Sequence, residues 1–203
     1  MVTNKDFMIS DKYKCIFIHV PKAAGESVET ALMGRPNWEK DDPNYASLNL
    51  PKDSVVGDDK HYTIEQWKNH MCFDTYFKFS FVRNPWSAAY SFYQYRKKRD
   101  EFNHNFNDWV RLINPKFWKE FLSPLKYLLI NNQEGVDFIG KFEDIEADWD
   151  YICYRLSINI QLPHANKSQN SSDYSQYYNN HSRDIVYKHL KQDINYFNYN
   201  FGE

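Results

Sequence analysis

The chain has 203 residues, 42% of them hydrophobic and 26% charged, which suits one packed domain and excludes a globally disordered chain. Lysine and arginine number 25 against 27 aspartate and glutamate, a formal net charge of −2. That argues against a broadly basic nucleic-acid binder, while leaving room for a small cationic pocket.

Residues 1–14 read as a polar N-terminal extension without an apolar leader segment, and residues 15–203 as the domain. Cys15-Ile16-Phe17-Ile18-His19-Val20 is a β-prone run stopped by Pro21. Glu26 to Met33 predicts a helix with Val28, Leu32 and Ala31 inward. Residues 34–53 are punctuated by Pro36, Pro43 and Pro51 and read as a loop; 54–57 suit a short strand. Thr63 to His70 predicts a helix with Thr63 at its N-cap. Tyr76 to Val82 is a second clear strand, and Pro85 suits the first turn of a helix to about Arg99. Helical periodicity continues over 105–130. Val136 to Gly140 is a third strand, Glu143 to Leu156 a helix, 166–180 a polar loop, and Asp184 to Phe197 a closing helix. Strands alternating with helices give a single-domain α/β fold with a mostly parallel central sheet flanked by helices.

No run approaches the ~18 uninterrupted apolar residues of a membrane span. Cys15, Cys72 and Cys153 lie far apart, without disulfide-framework or metal-ligand spacing. They read as reduced thiols of a cytoplasmic protein that requires no metal.

Two strand-to-helix junctions carry chemistry. In His19-Val20-Pro21-Lys22-Ala23-Ala24-Gly25-Glu26-Ser27, a turn of small residues brings backbone N–H groups and a helix N-terminus beside a lysine and a serine. These are the parts of a phosphate cradle. Equally, they suit an ordinary turn with a surface lysine, and the Walker A spacing is absent. In Arg83-Asn84-Pro85-Trp86, with Ser91 two turns along, a guanidinium at a strand end can grip a second phosphate. Ligands of open α/β sheets gather at these carboxyl ends, so a bis-phosphorylated ligand accounts for both junctions.

The two junctions resemble motifs of the sulfotransferases that use 3′-phosphoadenosine 5′-phosphosulfate (PAPS), in the branch of carbohydrate and bacterial sulfotransferases. Phe17 to Ser27 is similar to F-I-H-x-P-K-T-A-G-T-S, and Val82 to Trp86 with Ser91 and Tyr93 to V-R-N-P-W-D-R-x-x-S-x-Y. Val136 to Glu143 resembles D-F-I-G-R-F-E with its flank, Leu162 to Ser168 resembles L-P-H-x-N-x-S, and Asp193, Phe197, Tyr199 and Phe201 resemble D-x-x-x-F-x-Y-x-F. Ala23 and Glu26 stand where threonines are usual, and Ser87 and Ala88 where Asp and Arg are usual.

The resemblance implies a P-loop-like nucleotide-binding sulfotransferase fold, with PAPS as co-substrate and adenosine 3′,5′-bisphosphate as product. Lys22, Ala23, Ala24, Gly25, Glu26, Ser27 and Val28 would hold the 5′-phosphosulfate, and Arg83 and Ser91 the 3′-phosphate. Phe142 would lie against adenine, and Asn166, Lys167 and Ser168 would close the site. Lys22 would neutralise the leaving phosphate. A hydroxyl acceptor of saccharide type needs a general base, and His61, between the two nucleotide motifs, is the candidate; Glu65 and Glu26 are alternatives. His19 reads as a core residue, and His164, in the loop, fits either role. The cluster Tyr90 to Arg99 suits either a saccharide groove or an amphipathic helix with a solvated basic end. A nucleotide kinase and a non-catalytic nucleotide- or glycan-binding module are the competing functions.

Overall fold

The protein is described here by a computed structural model covering residues 9–33, 61–100, 103–163 and 171–203. The strand expected at 54–57, the loop at 34–53 and the candidate residues His164, Asn166, Lys167 and Ser168 lie outside the described residues.

The central sheet has four strands, β1 (Ile9–Ser10), β2 (Cys15–Ile18), β3 (Phe77–Val82) and β6 (Phe138–Lys141), in the order β1-β2-β3-β6. β2 pairs parallel with β3, and β3 parallel with β6, while β1 runs antiparallel along β2. The sheet is therefore mixed, and it begins before Cys15, at a two-residue edge strand that polar flanking residues hide from pattern reading. A small antiparallel pair, β4 (Leu129–Ile130) and β5 (Gln133–Glu134), stands apart from it.

Every residue of β2 is buried, as expected of a parallel strand covered on both faces. Flanking it are α1 (Gly25–Met33), α2 (Ile64–Trp67), α3 (Pro85–Asp100) and α7 (Ile145–Leu156). Val28 and Leu32 of α1 face the core as predicted. Gln66 Oε1 accepts from the Thr63 amide at 2.7 Å, closing the start of α2. Cys15, Cys72 and Cys153 are buried and form no disulfide among the described residues.

The helical region 105–130 resolves into α4 (Phe106–Leu112), α5 (Pro115–Phe121) and α6 (Pro124–Leu128). The closing helix α8 spans Asn180–Phe197 and starts earlier than hydrophobic spacing indicates. The reason is a reciprocal cap: Asn179 accepts from the Ser182 amide at 2.8 Å and Ser182 Oγ accepts from the Asn179 amide at 3.2 Å. The polar loop before it holds a 3₁₀ segment, Ser171–Tyr177.

Packed together, α3, α4, α5, the 3₁₀ segment and α8 form a second core built largely of aromatics, among them Trp86, Tyr90, Phe92, Tyr93, Phe106 and Trp118. Much of the chain's aromatic content is spent here. From the C-terminal motif, Asp193 is buried and accepts from Ser123 Oγ (2.7 Å) and the Leu125 amide (3.0 Å), fixing the start of α6. Burial raises its carboxyl above the ordinary range.

Parallel register sets the ends of β2, β3 and β6 side by side: Ile18 lies opposite Ser80, and Val82 opposite Lys141. Each strand then feeds a helical element, so helix N-termini collect along one edge of the sheet. Close packing in β6 depends on Gly140, where a Cβ would stand 2.5 Å from Phe81 Cε1 and 3.1 Å from Asp148 Cβ. Gly140→Ala should therefore destabilise the protein by about 1–3 kcal/mol through overpacking. Urea unfolding checks this; an unchanged midpoint would contradict the packing described.

Candidate active site

The chain leaves β2 through a turn in which Lys22 (φ +66°) and Ala24 (φ +64°) both adopt the left-handed conformation. Each such non-glycine residue costs about 1–2 kcal/mol, and strain of this kind collects at functional sites. Amides arranged around left-handed residues form anion-binding concavities. Helix α1 follows immediately. The Ala24 carbonyl accepts from Ser27 N (3.0 Å) and Val28 N (3.2 Å). The amides of Gly25 and Glu26 belong to the first turn, beyond reach of the helix's own carbonyls. Gly25 is required by close approach: a Cβ there would lie 1.9 Å from His19 Nε2.

Arg83, just past β3, is 6% exposed. Its Nε donates to Ser87 Oγ at 2.9 Å and its Nη1 to the Lys22 carbonyl at 3.2 Å. The guanidinium carbon stands 4.0 Å from the centre of the Phe142 ring, a cation–π contact. Burial lowers its pKa to about 10, opposed by the nearby Glu143 carboxylate, so it remains charged at neutral pH. Glu143 is held by the Asn84 amide (2.8 Å) and the Tyr199 hydroxyl (3.1 Å). Arg83 thus buttresses the turn after β2 while its other face is covered by Phe142. The Lys22 ammonium stands 4.5 Å from the centre of the Tyr95 ring on α3.

His61 Nδ1 lies 3.0 Å from the carbonyl oxygen of His19. A carbonyl can only accept, so Nδ1 carries the hydrogen and Nε2 is left as the basic nitrogen. The His61 ring packs edge-on against His19 (centroids 4.4 Å apart) and against Phe121 (5.8 Å).

A cavity of about 1000 Å³ opens at this edge. Of the sequence-predicted residues, Lys22, Ala24, Gly25, Glu26, Ser27, His61, Arg83, Ser91 and Phe142 line it. Ala23 and Val28 do not; their side chains are 1% and 0% exposed in the core. Glu65 is not in the lining, whereas His19, read as a core residue, is both buried and in the lining.

From the cluster Tyr90 to Arg99, read as either a groove or an amphipathic helix, Gln94, Tyr95 and Lys98 continue Ser91 at helical spacing along α3 and line the wall. Sequence reading missed another stripe, Glu146, Trp149, Asp150 and Cys153 on α7 with Asn159, Ile160 and Gln161; its apolar members on α7 read simply as core. Lys97 and Arg99 are exposed, as a solvated helix end predicts. Among the described residues no group of three or more His, Cys, Asp or Glu is placed to hold a metal, and no helix is long and apolar enough to cross a membrane.

The Sulfotransferase family model matches residues 5–200 of the chain. An uncharacterized protein of Archaeoglobus fulgidus is 36% identical over 94 residues, covering 44% of this chain and 75% of that relative. No solved structure matches the chain significantly.

Two adjacent small residues should respond oppositely to substitution. Ala24→Gly relieves left-handed strain and should stabilise by about 0.5–1 kcal/mol after the glycine entropy cost. Gly25→Ala drives a methyl into the His19 ring and should destabilise by about 1–3 kcal/mol or more. Urea midpoints of the two variants test this; a shift in the same direction for both would contradict the turn geometry.

Proposed function

The chain belongs to the sulfotransferase family, and on that premise we propose that it transfers the sulfuryl group of PAPS to a hydroxyl of a carbohydrate-type acceptor, with His61 as general base. One observation carries this reading: the strained turn at Lys22, the buried Arg83, Ser91 and the oriented His61 all border one cavity. Its volume of about 1000 Å³ leaves room for a nucleotide and an acceptor together.

When bound, PAPS supplies a sulfuryl group activated by a phosphate leaving group. The turn from Lys22 to Ser27 acts as a P-loop-like cradle for the 5′-phosphosulfate, through backbone amides and the helix N-terminus. Ala23 contributes only its backbone to that cradle, and Val28 supports it from the core. Arg83 and Ser91 hold the 3′-phosphate, and Phe142 lies along adenine. His61 Nε2 takes the proton of the acceptor hydroxyl as that oxygen bonds to sulfur. The bond from sulfur to the 5′-phosphate oxygen breaks in line, and the Lys22 ammonium, swung from Tyr95, neutralises the charge left on adenosine 3′,5′-bisphosphate. Such a transfer needs positioning and charge stabilisation more than covalent help. Tyr95 and Phe121 in the cavity wall are aromatic rings of the kind that pack on sugar rings, which supports a saccharide acceptor. Buried cysteines outside any disulfide suit a reducing compartment such as the cytoplasm.

Acceptor-dependent release of adenosine 3′,5′-bisphosphate from PAPS, screened over a saccharide panel, tests the reading. In the same assay His61→Ala should lower turnover by about 10²- to 10⁴-fold, with bisphosphate affinity held within about threefold. Equal loss of binding and turnover would remove His61 from the role of base.

A further inference from the structure

Beneath the turn sits a pair that the chemistry above does not use. His19, 5% exposed, stands at the end of β2, and Glu29, 8% exposed, on α1. His19 Nδ1 and Glu29 Oε1 are 2.6 Å apart. Since a carboxylate only accepts, Nδ1 is the donor and the ring orientation is set. Glu29 follows Gly25 by four residues, so both lie on one face of α1. Together they form a notch: the carboxylate grips one ring nitrogen, while the other, Nε2, fills the space a Cβ at residue 25 would need. The main-chain oxygen of His19 receives the His61 Nδ1 hydrogen, and the His19 ring packs against that of His61.

We propose that the His19–Glu29 pair is the positioning pin of the active site. It locks the N-terminal end of α1 against β2, which shapes the turn that receives the phosphosulfate, and it fixes the carbonyl that keeps His61 in the tautomer with Nε2 basic. His19 and Glu29 are positioning residues: they act through the turn and through His61. A buried polar group stripped of its hydrogen-bond partner is destabilising, and a geometry displaced by about 1 Å can lower a rate by about 10²-fold, so a small movement of this ring is felt at both ends. The inference rests on the sulfotransferase reading for its ligand, but not for its effect on His61.

The test combines two readouts on Glu29→Ala, Glu29→Asp and Glu29→Gln. Nitrogen-15 NMR of the ligand-free protein reports the His61 tautomer, and calorimetry reports affinity for adenosine 3′,5′-bisphosphate. Wild type should hold His61 with hydrogen on Nδ1. Glu29→Ala and Glu29→Asp, which remove or retract the carboxylate, should admit the Nε2–H tautomer and weaken bisphosphate binding by at least about tenfold. Glu29→Gln keeps an oxygen acceptor for Nδ1 and should retain the wild-type tautomer, with affinity within about threefold. If Glu29→Ala does not fold, Glu29→Asp decides. A variant with a lower melting temperature but wild-type tautomer and affinity would overturn the proposal, leaving the pair a packing feature. Failure of wild type to bind the bisphosphate would overturn the PAPS reading instead, and the tautomer comparison would still decide the pin.

Discussion

The site depends on one buried cation. Arg83 carries its charge where water hardly reaches, and leaving such a charge uncompensated costs several kcal/mol. Its neighbours compensate it in part: Ser87 and the Lys22 carbonyl accept its hydrogens, Phe142 covers its face, and Glu143 lies close enough to oppose the effect of burial on its pKa. The bond to Lys22 has a second consequence, because it ties the end of β3 to the turn after β2. Two junctions far apart in sequence are thereby joined into one rim that carries positive charge.

Around that rim, the rest of the molecule supplies restraint. Parallel register aligns the strand ends, and Gly25 and Gly140 let backbone and ring approach closely where a methyl would not fit. The aromatic second core supports the His61 side of the cavity: Phe92 packs against Phe121, and Phe121 in turn against His61. The C-terminal residues close the other side, since Asn84 Nδ2 donates to the Asn200 carbonyl at 2.8 Å and the Tyr199 hydroxyl holds Glu143. Phe142 and Glu143 therefore sit where both the C-terminal segment and the cation can hold them.

Much of this was legible in the sequence where local chemistry dictates structure. The apolar run at Cys15 to Ile18, the alternation leading to Val82 and the Pro85 start of α3 each specify an element without help from elsewhere. Lys22, Arg83 and Ser91 could be assembled because strand ends in a parallel sheet converge by rule, whereas Phe142 came from the family resemblance, and His61 from that resemblance with a strand expected at 54–57, outside the described residues. The edge strand Ile9–Ser10 was not legible, because two residues carry no period and pairing along β2 alone makes them a strand. The start of α8 was missed because the Asn179–Ser182 cap is polar and outlies the hydrophobic stripe. The role of His19 was half legible: alternation gave its burial, but its partner Glu29 and its contact with His61 arise from tertiary packing. The α7 wall was hidden for the same reason, since Trp149 and Cys153 belong to a core stripe whose edge happens to border the cavity. Arg83 as a buttress, with much of its hydrogen bonding spent inside the protein, likewise follows from three-dimensional proximity that no motif encodes.

We propose that this rim receives two separated anionic groups of one nucleotide. Titration calorimetry of the wild-type protein with adenosine 3′,5′-bisphosphate, AMP and ATP tests it most directly. The bisphosphate should bind at least about tenfold more tightly than AMP, because a second charge-assisted phosphate contact at Arg83 is worth about 1.5–3 kcal/mol, and ATP should gain no such advantage. Tighter binding of ATP than of the bisphosphate, or equal binding of the bisphosphate and AMP, would contradict it.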